Sequence, residues 1–488
     1  MTDSGAGETV ASAPGSRLPE GWGRAALREL CEPVVKVHPG ELGKEAFRYV
    51  DIGSIASGEL VVSAAKEIPV QDAPSRARQL IQVGDTVFST VRPYLKKIAW
   101  IPEFLDGEIA STGFCVLRPG EALEPRFLFH LVTSNGFVAR IVEKQRGASY
   151  PAVREVDIFE EEVVVPPVSE QRRIVAKLDE QLVHIEAGEA AARTALASSE
   201  ILHDRITGRG ACGGLDAAEL FPAELEKADV DDGELPHLPA GWRWARLGEI
   251  AAVAGGVTKD SKKQGDPDYV EVPYLRVANV QRGRLVLDRI ERIRVPAGKA
   301  EALRLVEGDV LLNEGGDRDK LGRGWIWEDQ IEDCIHQNHV FRARVINDVL
   351  DPLLLAWHAN SFGKDWCDRN GKQTVNLASI SLRKIKLLPV PVPPREVQAE
   401  LVKVIHGHVE EVAAAHQLAQ GALARAAELR GALLHAAFTG ALAPQDPADE
   451  PASVLLDRIR SQRLTRTKPG RKRVPRKSAS PGQEELPQ

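Results

Sequence analysis

The sequence predicts an α+β fold: two tandem β-rich domains, each followed by a long helix, with the two helices forming an antiparallel coiled coil. Three observations predict this fold and its pseudo-twofold internal repeat. The string Leu-Pro-x-Gly-Trp occurs at 18–22 and again at 238–242. Each half later contains a Val-Pro-Pro string that opens a long helical pattern. A chain of 488 residues is also too long for one ordinary core, so two or more domains are expected.

The repeat continues beyond its first string. LPEGWGRAALREL and LPAGWRWARLGEI agree at seven of thirteen positions, with an offset of 220 residues. QVGDTVFS then faces VEGDVLLN at an offset of 224, and VPPVSEQRRIVAKL faces VPPREVQAELVKVI at 227. Small loop insertions would produce this drift, so the sequence indicates a duplicated unit. Because large aromatic side chains are mostly buried anchors, Trp22 and Trp242 are expected in the core rather than at a ligand.

The parts before each helix are rich in short β-type runs. FRYVDIG, GDTVFSTV and STGFCVLRP occur in the first half, and VPYLRVANV, GDVLLN and HVFRARV in the second. Turns with Gly, Pro and Asp separate them. The predicted domain boundaries are a disordered leader at 1–17, a first domain at 18–168, helix 1 at 169–210, an acidic linker at 211–237, a second domain at 238–394, helix 2 at 395–443, and a C-terminal segment with a disordered basic tail at 444–488.

Each predicted helix carries one apolar stripe. About 37 residues of helix would be about 55 Å long, which exceeds what one small domain can cover. Packing of each helix on its own domain is the alternative, but the length favours pairing of the two stripes. The paired positions keep an offset of 227; they are Ile174, Leu178, Leu182 and Ile185 in the first helix and Leu401, Ile405, Val409 and Val412 in the second.

Composition and charge exclude several classes of protein. The five cysteines are scattered and form no CxxC pair, which predicts a reducing cytoplasm and no structural zinc. The start of the chain lacks the features of a signal peptide, and no apolar stretch is long enough to span a membrane. The net charge of −7 disfavours nucleic acid, but its distribution is uneven: residues 216–234 hold eight acids, and residues 458–477 hold ten Lys or Arg and no acid.

Motifs of catalysis are missing from the sequence. It contains no phosphate-binding GxxxxGK[ST] loop, no GxGxxG, no GxSxG and no Asn/Asp-Pro-Pro-Tyr/Phe string. Charged residues such as Asp85, Glu108 and Asp309 are interpreted as surface charge, and no charged pair is expected to repeat between the halves. The sequence therefore predicts a protein without an active site of its own.

The combined motifs resemble the specificity subunits of type I restriction-modification systems. The resemblance covers most of 18–463. It rests on the two Leu-Pro-x-Gly-Trp strings, on PPVSEQRRIVAKLDEQL and PPREVQAELVKVI, on NEGGDRDKLGRGWIWEDQIEDCIHQNHVFRARV (313–345), and on LLHAAFTGALAPQDPADEPASVLLDRIRSQR (433–463). One departure is that the two helix ends share only Thr-Gly, at 207–208 and 439–440, and that an acidic linker follows the first of them.

The resemblance implies a function and a set of partners. Two target-recognition domains would each read half of a split site in double-stranded DNA, and the helices would set the spacing and dock the modification subunits, two in number. Those subunits would bind S-adenosylmethionine and carry out methylation. Restriction subunits would add translocation and cleavage, with ATP and magnesium. The specificity subunit itself would bind no cofactor, catalyse nothing and have no membrane partner, and the system would defend the cell against phage.

Side-chain chemistry predicts the DNA-binding residues, because Arg, Lys, Asn and Gln read base edges and hydroxyl or basic groups hold phosphates. Each is weighed against the reading of an ordinary solvated side chain. Gly147 and Gly371 match at an offset of 224 and are taken as counterparts in two turns that approach DNA. The candidates are Ser89, Thr90, Arg92, Lys96, Lys97, Gln145, Arg146 and Ser149 in the first domain, and Arg318, Lys320, Arg323, Lys372, Gln373 and Asn376 in the second.

Two other functions stay open at this point. One is a single-chain DNA methyltransferase or nuclease, which the missing catalytic motifs disfavour. The other is a protein-interaction scaffold that never binds DNA. Methyl transfer by the purified chain alone would support the first, and failure to enrich any sequence from random duplexes would support the second.

Overall fold

The computed structural model describes residues 18–147, 149–215, 219–316, 320–373 and 378–466. The chain divides into two compact units. The first unit comprises Met1–Glu189 with Ala424–Gln488, and the second comprises Ala190–Leu423. Each unit therefore contains one β-rich domain, one end of the first long helix and the opposite end of the second. The basic tail predicted at the C-terminus lies mostly outside the described residues.

The first domain is built from two four-stranded sheets and a separate strand pair, counted over its described residues. The sheet orders are β2-β9-β6-β7 and β4-β3-β8-β5, and β1 pairs with β10. The strands are β1 Gly23–Ala26, β2 Cys31–Glu32, β3 Ala46–Val50, β4 Lys66–Pro69, β5 Ala77–Leu80, β6 Thr86–Ser89, β7 Ile98–Trp100, β8 Ile109–Ser111, β9 Phe114–Pro119 and β10 Glu162–Val165. The helices are α1 Leu27–Leu30, α2 Pro125–Thr133, α3 Asn135–Glu143 and α4 Glu155–Phe159, and the long helix α5 Val168–Ala211 follows.

The second domain repeats the strand pair and one four-stranded sheet, and its other strands form smaller sheets. Over its described residues the sheet orders are β12-β21-β17-β19, β16-β13-β20, β18-β23-β22, β14-β15 and β11-β24. The strands are β11 Arg243–Arg246, β12 Ala251–Ala254, β13 Tyr269–Leu275, β14 Val280–Gln281, β15 Arg284–Leu285, β16 Glu291–Pro296, β17 Val310–Asn313, β18 Gly315–Gly316, β19 Gly324–Ile326, β20 Ile335–His336, β21 Val340–Val345, β22 Lys372–Gln373, β23 Ala378–Ser379 and β24 Pro389–Val392. The helices are α6 Leu247–Ile250, α7 Ala297–Leu303, α8 Pro352–Asn360, α9 Phe362–Asn370 and α10 Leu382–Ile385, followed by α11 Arg395–Thr439 and α12 Ala452–Arg466.

Strand registers show that the two domains are duplicates. The strand after each Leu-Pro-x-Gly-Trp string pairs antiparallel with the strand that leads into Val-Pro-Pro. Gly23 lies opposite Val165, and Arg243 lies opposite Val392. These pairs differ by the offsets of 220 and 227 that the sequence shows at the same places. The strand pairing therefore confirms the predicted internal repeat.

Trp22 is buried in the first unit, where it contacts the start of the long helix α5. It is 7% exposed, and its indole Nε1 donates to Oε1 of Glu170 at 3.0 Å. Burial raises the pKa of Glu170, and the bond from Trp22 opposes that rise. Gly440, with φ +80°, meets the string from the far end of α11, since a Cβ there would lie 2.6 Å from Cγ of Pro19. The core role expected for Trp22 is confirmed.

Trp242 has the corresponding place in the second unit. It is half-buried, and Gly213, with φ +72°, lies against it and against Pro239. A Cβ at Gly213 would fall 2.5 Å from Cγ of Pro239, so only glycine fits. The structural counterpart of Gly440 is therefore Gly213, at the offset of 227. The match of Gly440 to Gly208 was wrong, because Gly208 lies inside α5 and two identical letters were too short a signal.

The helices α5 and α11 pair antiparallel, as predicted. In the first unit Nη2 of Arg430 lies 3.4 Å from Oε1 of Glu189. In the second unit the hydroxyl of Ser199 lies 2.8 Å from Nδ1 of His416. The partner position falls along α11 as the position along α5 rises, which is the signature of antiparallel helices. They contain 44 and 45 residues, so each is about 66 Å long at 1.5 Å per residue.

Side chains of the apolar stripe pack both between the two helices and into the cores of the domains. Leu178 is fully buried in a cluster that also contains Ala437 of α11 and side chains of the first domain. At the equivalent place in the second unit, a Cβ on Gly210 would lie 2.6 Å from Cγ1 of Ile405. All the predicted stripe residues are buried or half-buried, so they are not exposed for docking of another subunit: Ile174, Leu178, Leu182, Ile185, Leu401, Ile405, Val409 and Val412.

A buried ion pair repeats in the two domains, contrary to the expectation from sequence. Nη2 of Arg118 lies 2.7 Å from Oδ2 of Asp85, and Nε of Arg344 lies 2.7 Å from Oδ1 of Asp309. Both carboxylates are essentially unexposed, at 1% and 0%. The interpretation of Asp85 and Asp309 as surface charge was therefore wrong. Glu108 also has a structural role, since it accepts from Nζ of Lys44 at 2.9 Å.

The acidic linker is folded onto the second domain over its described residues. Asp232 accepts from both terminal nitrogens of Arg246, at 2.8 and 2.9 Å, and from Nε1 of Trp366 at 3.0 Å. Asp232 thus neutralises a nearly buried arginine. In the described part of the chain, no helix has both the length and the apolar character needed to cross a membrane.

Candidate nucleic-acid interface

Three loops meet at Thr90 in the first domain. We call them loop A (89–97), loop B (111–114) and loop C (144–153). The backbone N–H of Thr90 in loop A donates to the carbonyl of Gly113 in loop B at 3.0 Å. The N–H of Val153 in loop C donates to the carbonyl of Thr90 at 2.8 Å. The three loops are therefore fixed to one another at the ends of buried strands, where a domain can present side chains to a ligand.

The same junction is built around Glu314 in the second domain. Its loops are loop A′ (313–324), loop B′ (336–340) and loop C′ (371–380). The N–H of Glu314 donates to the carbonyl of His339 at 2.9 Å, and the N–H of Ile380 donates to the carbonyl of Glu314 at 2.8 Å. The hydrogen-bonded positions correspond one by one to those of the first domain. The backbone scaffold is thus duplicated, while the side chains on it differ.

Two predicted contacts in loop A are buried and belong to the scaffold. Ser89 is 1% exposed, and its hydroxyl donates to the carbonyl of Val91 at 2.9 Å. Thr90 is 9% exposed, and its hydroxyl donates to the carbonyl of Gly113 at 2.9 Å. Because their side-chain donor protons are used inside the domain, Ser89 and Thr90 are not expected to contact DNA. They form the base of the loop rather than its outer surface.

The cations of loop A lie on an unusual backbone. Arg92 and Lys96 both have φ of +48°, a left-handed conformation that non-glycine residues rarely adopt and that often marks functional segments. The guanidinium of Arg92 lies 5.4 Å from the ring centre of Tyr150, which is itself 74% exposed. Lys96 donates to Oδ1 of Asn135, and Lys97 donates to the carbonyl of Ile52 at 2.9 Å.

Loop C is attached to loop A by its backbone. The N–H of Arg92 donates to the carbonyl of Pro151 at 2.8 Å. Arg146 is exposed, and its guanidinium lies 3.7 Å from Asp157. The hydrogen bond from Arg154, aided by the charge of Arg146, lowers the pKa of Asp157 to about 2.

Two further predicted residues complete loop C. Ser149 is exposed, and Gln145 is half-buried and donates to the carbonyl of Val142 at 3.0 Å. Arg92, Arg146 and Ser149 are therefore brought together on adjoining loops of one surface.

The predicted residues of the second domain are only partly described. Arg318 and Asn376 lie outside the described residues. Lys320 and Arg323 are half-buried in loop A′. Lys372 and Gln373 are exposed on β22 of loop C′, which joins β23 and β18 in one small sheet. The structure therefore places strands of loops A′ and C′ in one sheet, with Lys372 and Gln373 on β22, while Lys320 and Arg323 lie between β18 and β19 and on neither strand.

Gly147 and Gly371 are not equivalent, although the turns that contain them are. Gly147 has φ of +93°, whereas Gly371 has φ of −70°. The helices before them, α3 and α9, correspond at an offset of 227, so Gly371 matches Lys144. The offset of 224 holds for the earlier segment QVGDTVFS. Small insertions between that segment and α3 raise the offset to 227.

A basic loop beside loop B′ was missed from the sequence. The N–H of Val257 donates to the carbonyl of His336 at 2.8 Å, which fixes the segment that carries exposed Lys259, Lys262 and Lys263. A Cβ at Gly256 would lie 2.0 Å from the carbonyl oxygen of His336, so this approach requires glycine. The Gly-Gly pair followed by three lysines was the available signal.

Loop B′ also carries polar residues that were missed. Asn338 is half-buried and His339 is exposed, and they stand between the buried strands β20 and β21. Asn338 donates its backbone N–H to the carbonyl of Val257 at 2.9 Å, which holds the basic loop and loop B′ together. An amide and an imidazole interrupting an apolar stretch were the signal for this loop.

Comparison with known proteins supplies the family. A solved chain described under complex assembly and conformational transition of the type I R-M system is 31% identical, with a TM-score of 0.71. The match covers 88% of this chain and 100% of that one. This chain belongs to the specificity subunits of type I restriction-modification systems. The HsdS subunit from Thermoanaerobacter tengcongensis agrees, at 29% identity and a TM-score of 0.53 over 87% of this chain and 98% of that one.

Curated relatives of the specificity subunit point the same way. The EcoDI specificity subunit of Escherichia coli is 24% identical over 367 residues, which are 70% of this chain and 77% of that protein. The StySPI specificity subunit of Salmonella potsdam is 23% identical over 389 residues, covering 76% and 78%. No family model matches the chain. The specificity subunit therefore has a role in DNA sequence recognition, and the loops around Thr90 and Glu314 are the candidate surfaces for it.

Proposed function

We propose that this specificity subunit binds double-stranded DNA within a restriction-modification complex, and that each of its two domains reads one part of a bipartite sequence. The duplicated junction of loops carries this proposal. Thr90 and Glu314 make the same two backbone hydrogen bonds in their domains, yet one is a buried hydroxyl and the other a half-buried carboxylate. A constant scaffold with different side chains is what two readers of different sequences require.

The chemistry of the loops suits a division between phosphate and base contacts. Exposed cations such as Arg146, Lys259 and Lys372 can neutralise phosphates, which positions a protein on the duplex without reading it. Amide side chains such as Gln373 and Asn338 can hydrogen-bond base edges. We propose that the helices α5 and α11 fix the distance between the two contacted segments, since each is about 66 Å long and one DNA turn is about 34 Å.

We further propose that modification subunits dock on the exposed apolar side chains of the helices, and that two of them bind. Leu202 of α5 is 49% exposed and Leu429 of α11 is 59% exposed. They differ by 227 residues, so they are the same position in the two copies of the helix. An exposed leucine at the same position of both helix copies is what the docking of two identical subunits would require.

The chemistry of modification and cleavage is proposed to reside in the partner subunits. S-adenosylmethionine would bind to the modification subunits, and ATP and magnesium to restriction subunits. The specificity subunit would then be catalytically inactive alone. The missing nucleotide- and methyl-donor-binding motifs in its sequence support this division. Stoichiometric binding of S-adenosylmethionine by the isolated chain would contradict it.

Selection of random duplexes by the purified complex tests the proposed function. Recovery of one sequence made of two specific parts separated by a fixed, unspecific gap is the expected result. A single uninterrupted site would contradict the two-reader proposal. Absence of any enriched sequence would favour a protein-interaction scaffold, and methyl transfer by the chain alone would favour a single-chain enzyme.

A further inference from the structure

Loops A′ and B′ together carry a hydrogen-bonded row of three polar side chains that the turn itself does not require. It runs from Glu314 in loop A′ through His339 to Asn338. Oε2 of Glu314 lies 2.7 Å from Nδ1 of His339, and Nε2 of His339 lies 3.4 Å from Nδ2 of Asn338. The backbone of Glu314 is held on both sides, by His339 and by Ile380. The carboxylate therefore has a fixed position from which to orient the imidazole.

The hydrogen bonds among Glu314, His339 and Asn338 determine which atoms of the Asn338 amide can still bind a ligand. A carboxylate accepts, so Nδ1 of His339 carries the proton that points at Glu314. In the neutral imidazole Nε2 is then an acceptor, and it accepts from Nδ2 of Asn338. The amide of Asn338 retains its oxygen and its second N–H. An acceptor beside a donor is the pattern complementary to the major-groove edge of adenine, which offers the N6 amino group and N7.

The charges around Asn338 favour a base edge over a phosphate as its partner. Glu314 would repel a phosphate placed beside the imidazole. Positive charge stands to one side, on the segment with Lys259, Lys262 and Lys263 that is hydrogen-bonded to loop B′ through Val257. Those lysines are suited to the DNA backbone, which would bring the edges of the bases towards the amide.

We propose that Asn338 reads an adenine in the part of the site contacted by the second domain, and that His339 and Glu314 are positioning residues that orient its amide. This inference rests on the proposed function. The first domain has Thr112 and Gly113 at the corresponding positions of loop B, which have neither an amide nor an imidazole. A Cβ at Gly113 would lie 2.9 Å from Cδ1 of Ile52, so any side chain there would first have to displace that of Ile52. The reading pattern therefore belongs to the second domain alone.

The test compares variants of the complete chain, assembled with its modification subunits, by selection of random duplexes and by affinity for the selected site. Asn338→Ala is expected to lose the preference for adenine at one position and to weaken binding of the cognate duplex about 5- to 150-fold. Every other position should be unchanged. Gln330→Ala, which removes an exposed amide from another turn of the same domain, should leave the selected sequence and the affinity unchanged.

Asn338→Asp supplies a second variant if the alanine variant does not fold. A carboxylate accepts but does not donate, so the preference at that position should shift from adenine towards cytosine. Glu314→Ala should weaken the same adenine preference, and Glu314→Gln should restore it, because the glutamine oxygen can still accept from Nδ1 of His339. A purely structural pair would lower the melting temperature without changing one position of the selected sequence.

Three outcomes would overturn the inference and leave the proposed function standing. These are a bipartite wild-type site without adenine in the part that the second domain contacts, an unchanged sequence from Asn338→Ala and Asn338→Asp, or equal weakening of all sequences by Asn338→Ala. The last would make Asn338 a phosphate contact. Failure of the wild-type complex to select any bipartite sequence would instead overturn the proposed function and this inference with it.

Discussion

The first and second domains have the same backbone junction but place different side chains on it. In the first, Thr90 is buried and its loops present Arg92, on left-handed backbone, and the exposed Arg146. In the second, Glu314 reaches out to an imidazole, and lysines and amides line the loops. The hydrogen bonds that hold the loops come from the backbone, so they do not restrict the side chains. Such a design lets recognition change while the fold is kept.

Replacement of the aspartate in each buried ion pair is expected to have the largest effect on stability, and it compares the two domains directly. Asp85→Ala is expected to lower the free energy of unfolding by about 3–5 kcal/mol, because Arg118, with a side chain only 10% exposed, would be left with an unpaired buried charge. Asp309→Ala should cost less, about 2 kcal/mol, since the Arg344 side chain is 37% exposed and can reach water. Chemical denaturation of the complete chain with domain-resolved hydrogen exchange measures both. Equal losses would show that exposure of the arginine does not matter.

Buried histidines are expected to make the second domain more sensitive to acid. Burial lowers the pKa of His336 and of His358 to about 4. Because unfolded histidine has a pKa of about 6.5, the stability that each neutral side chain contributes is complete above that value and is lost as the pH falls towards 4. At pH 5 the loss is about 2 kcal/mol for each histidine.

In the first unit, a carboxylate on α5 that pairs with side chains of the first domain loses its contribution only over a lower pH range. The hydrogen bond with His130, followed by that with Arg126, lowers the pKa of Asp179 to about 2. A carboxylate of lowered pKa contributes stability above its unfolded value, near 4, and loses it only as the pH falls towards 2. Hydrogen exchange at pH 7 and pH 5 should therefore show greater opening in residues 238–394 than in residues 18–168. The reverse order would contradict the assignment of the two buried histidines as neutral.

Much of the fold could be predicted from the sequence, because each repeated string supports the same structural assignment in both halves of the chain. The apolar stripe of α5 and α11 required only the spacing of residues such as Leu178 and Ile405. The ion pair of Asp85 with Arg118 could not be predicted, since the partners are 33 residues apart and burial of a charge depends on the folded sheet. The C-terminal helix Ala452–Arg466 was also missed, as its pattern gives little amphipathic signal.

The candidate site was predictable only in outline. Turns rich in Arg and Lys identified loops A and C, but Ser89 and Thr90 in the same strings proved to be buried. A hydroxyl gives no sign in the sequence of whether it faces water or a carbonyl. Asn338 and His339 were missed because loop B′ contacts its neighbours through backbone bonds between residues far apart in the chain. Side-chain identity alone does not reveal such proximity.

The smallest expected effect concerns phosphate contacts. Arg146→Ala in the first domain and Lys372→Ala in the second should each weaken all DNA sequences alike and lower the slope of log affinity against log salt by about one. Both side chains are exposed, so stability should not change measurably. Titration of the complex with cognate and unrelated duplexes at several salt concentrations measures the slope. A change in the selected sequence would identify either residue as a base contact instead.

Exchange of one whole domain tests the central claim most directly. Residues 238–394 would be replaced by the corresponding domain of another specificity subunit, with the helices and the first domain unchanged. The complex would then be subjected to selection from random duplexes. The account predicts a new sequence in one part of the site, with the other part and the gap between them preserved. A swap that rewrote both parts would contradict the claim that each duplicated domain reads its own segment of DNA.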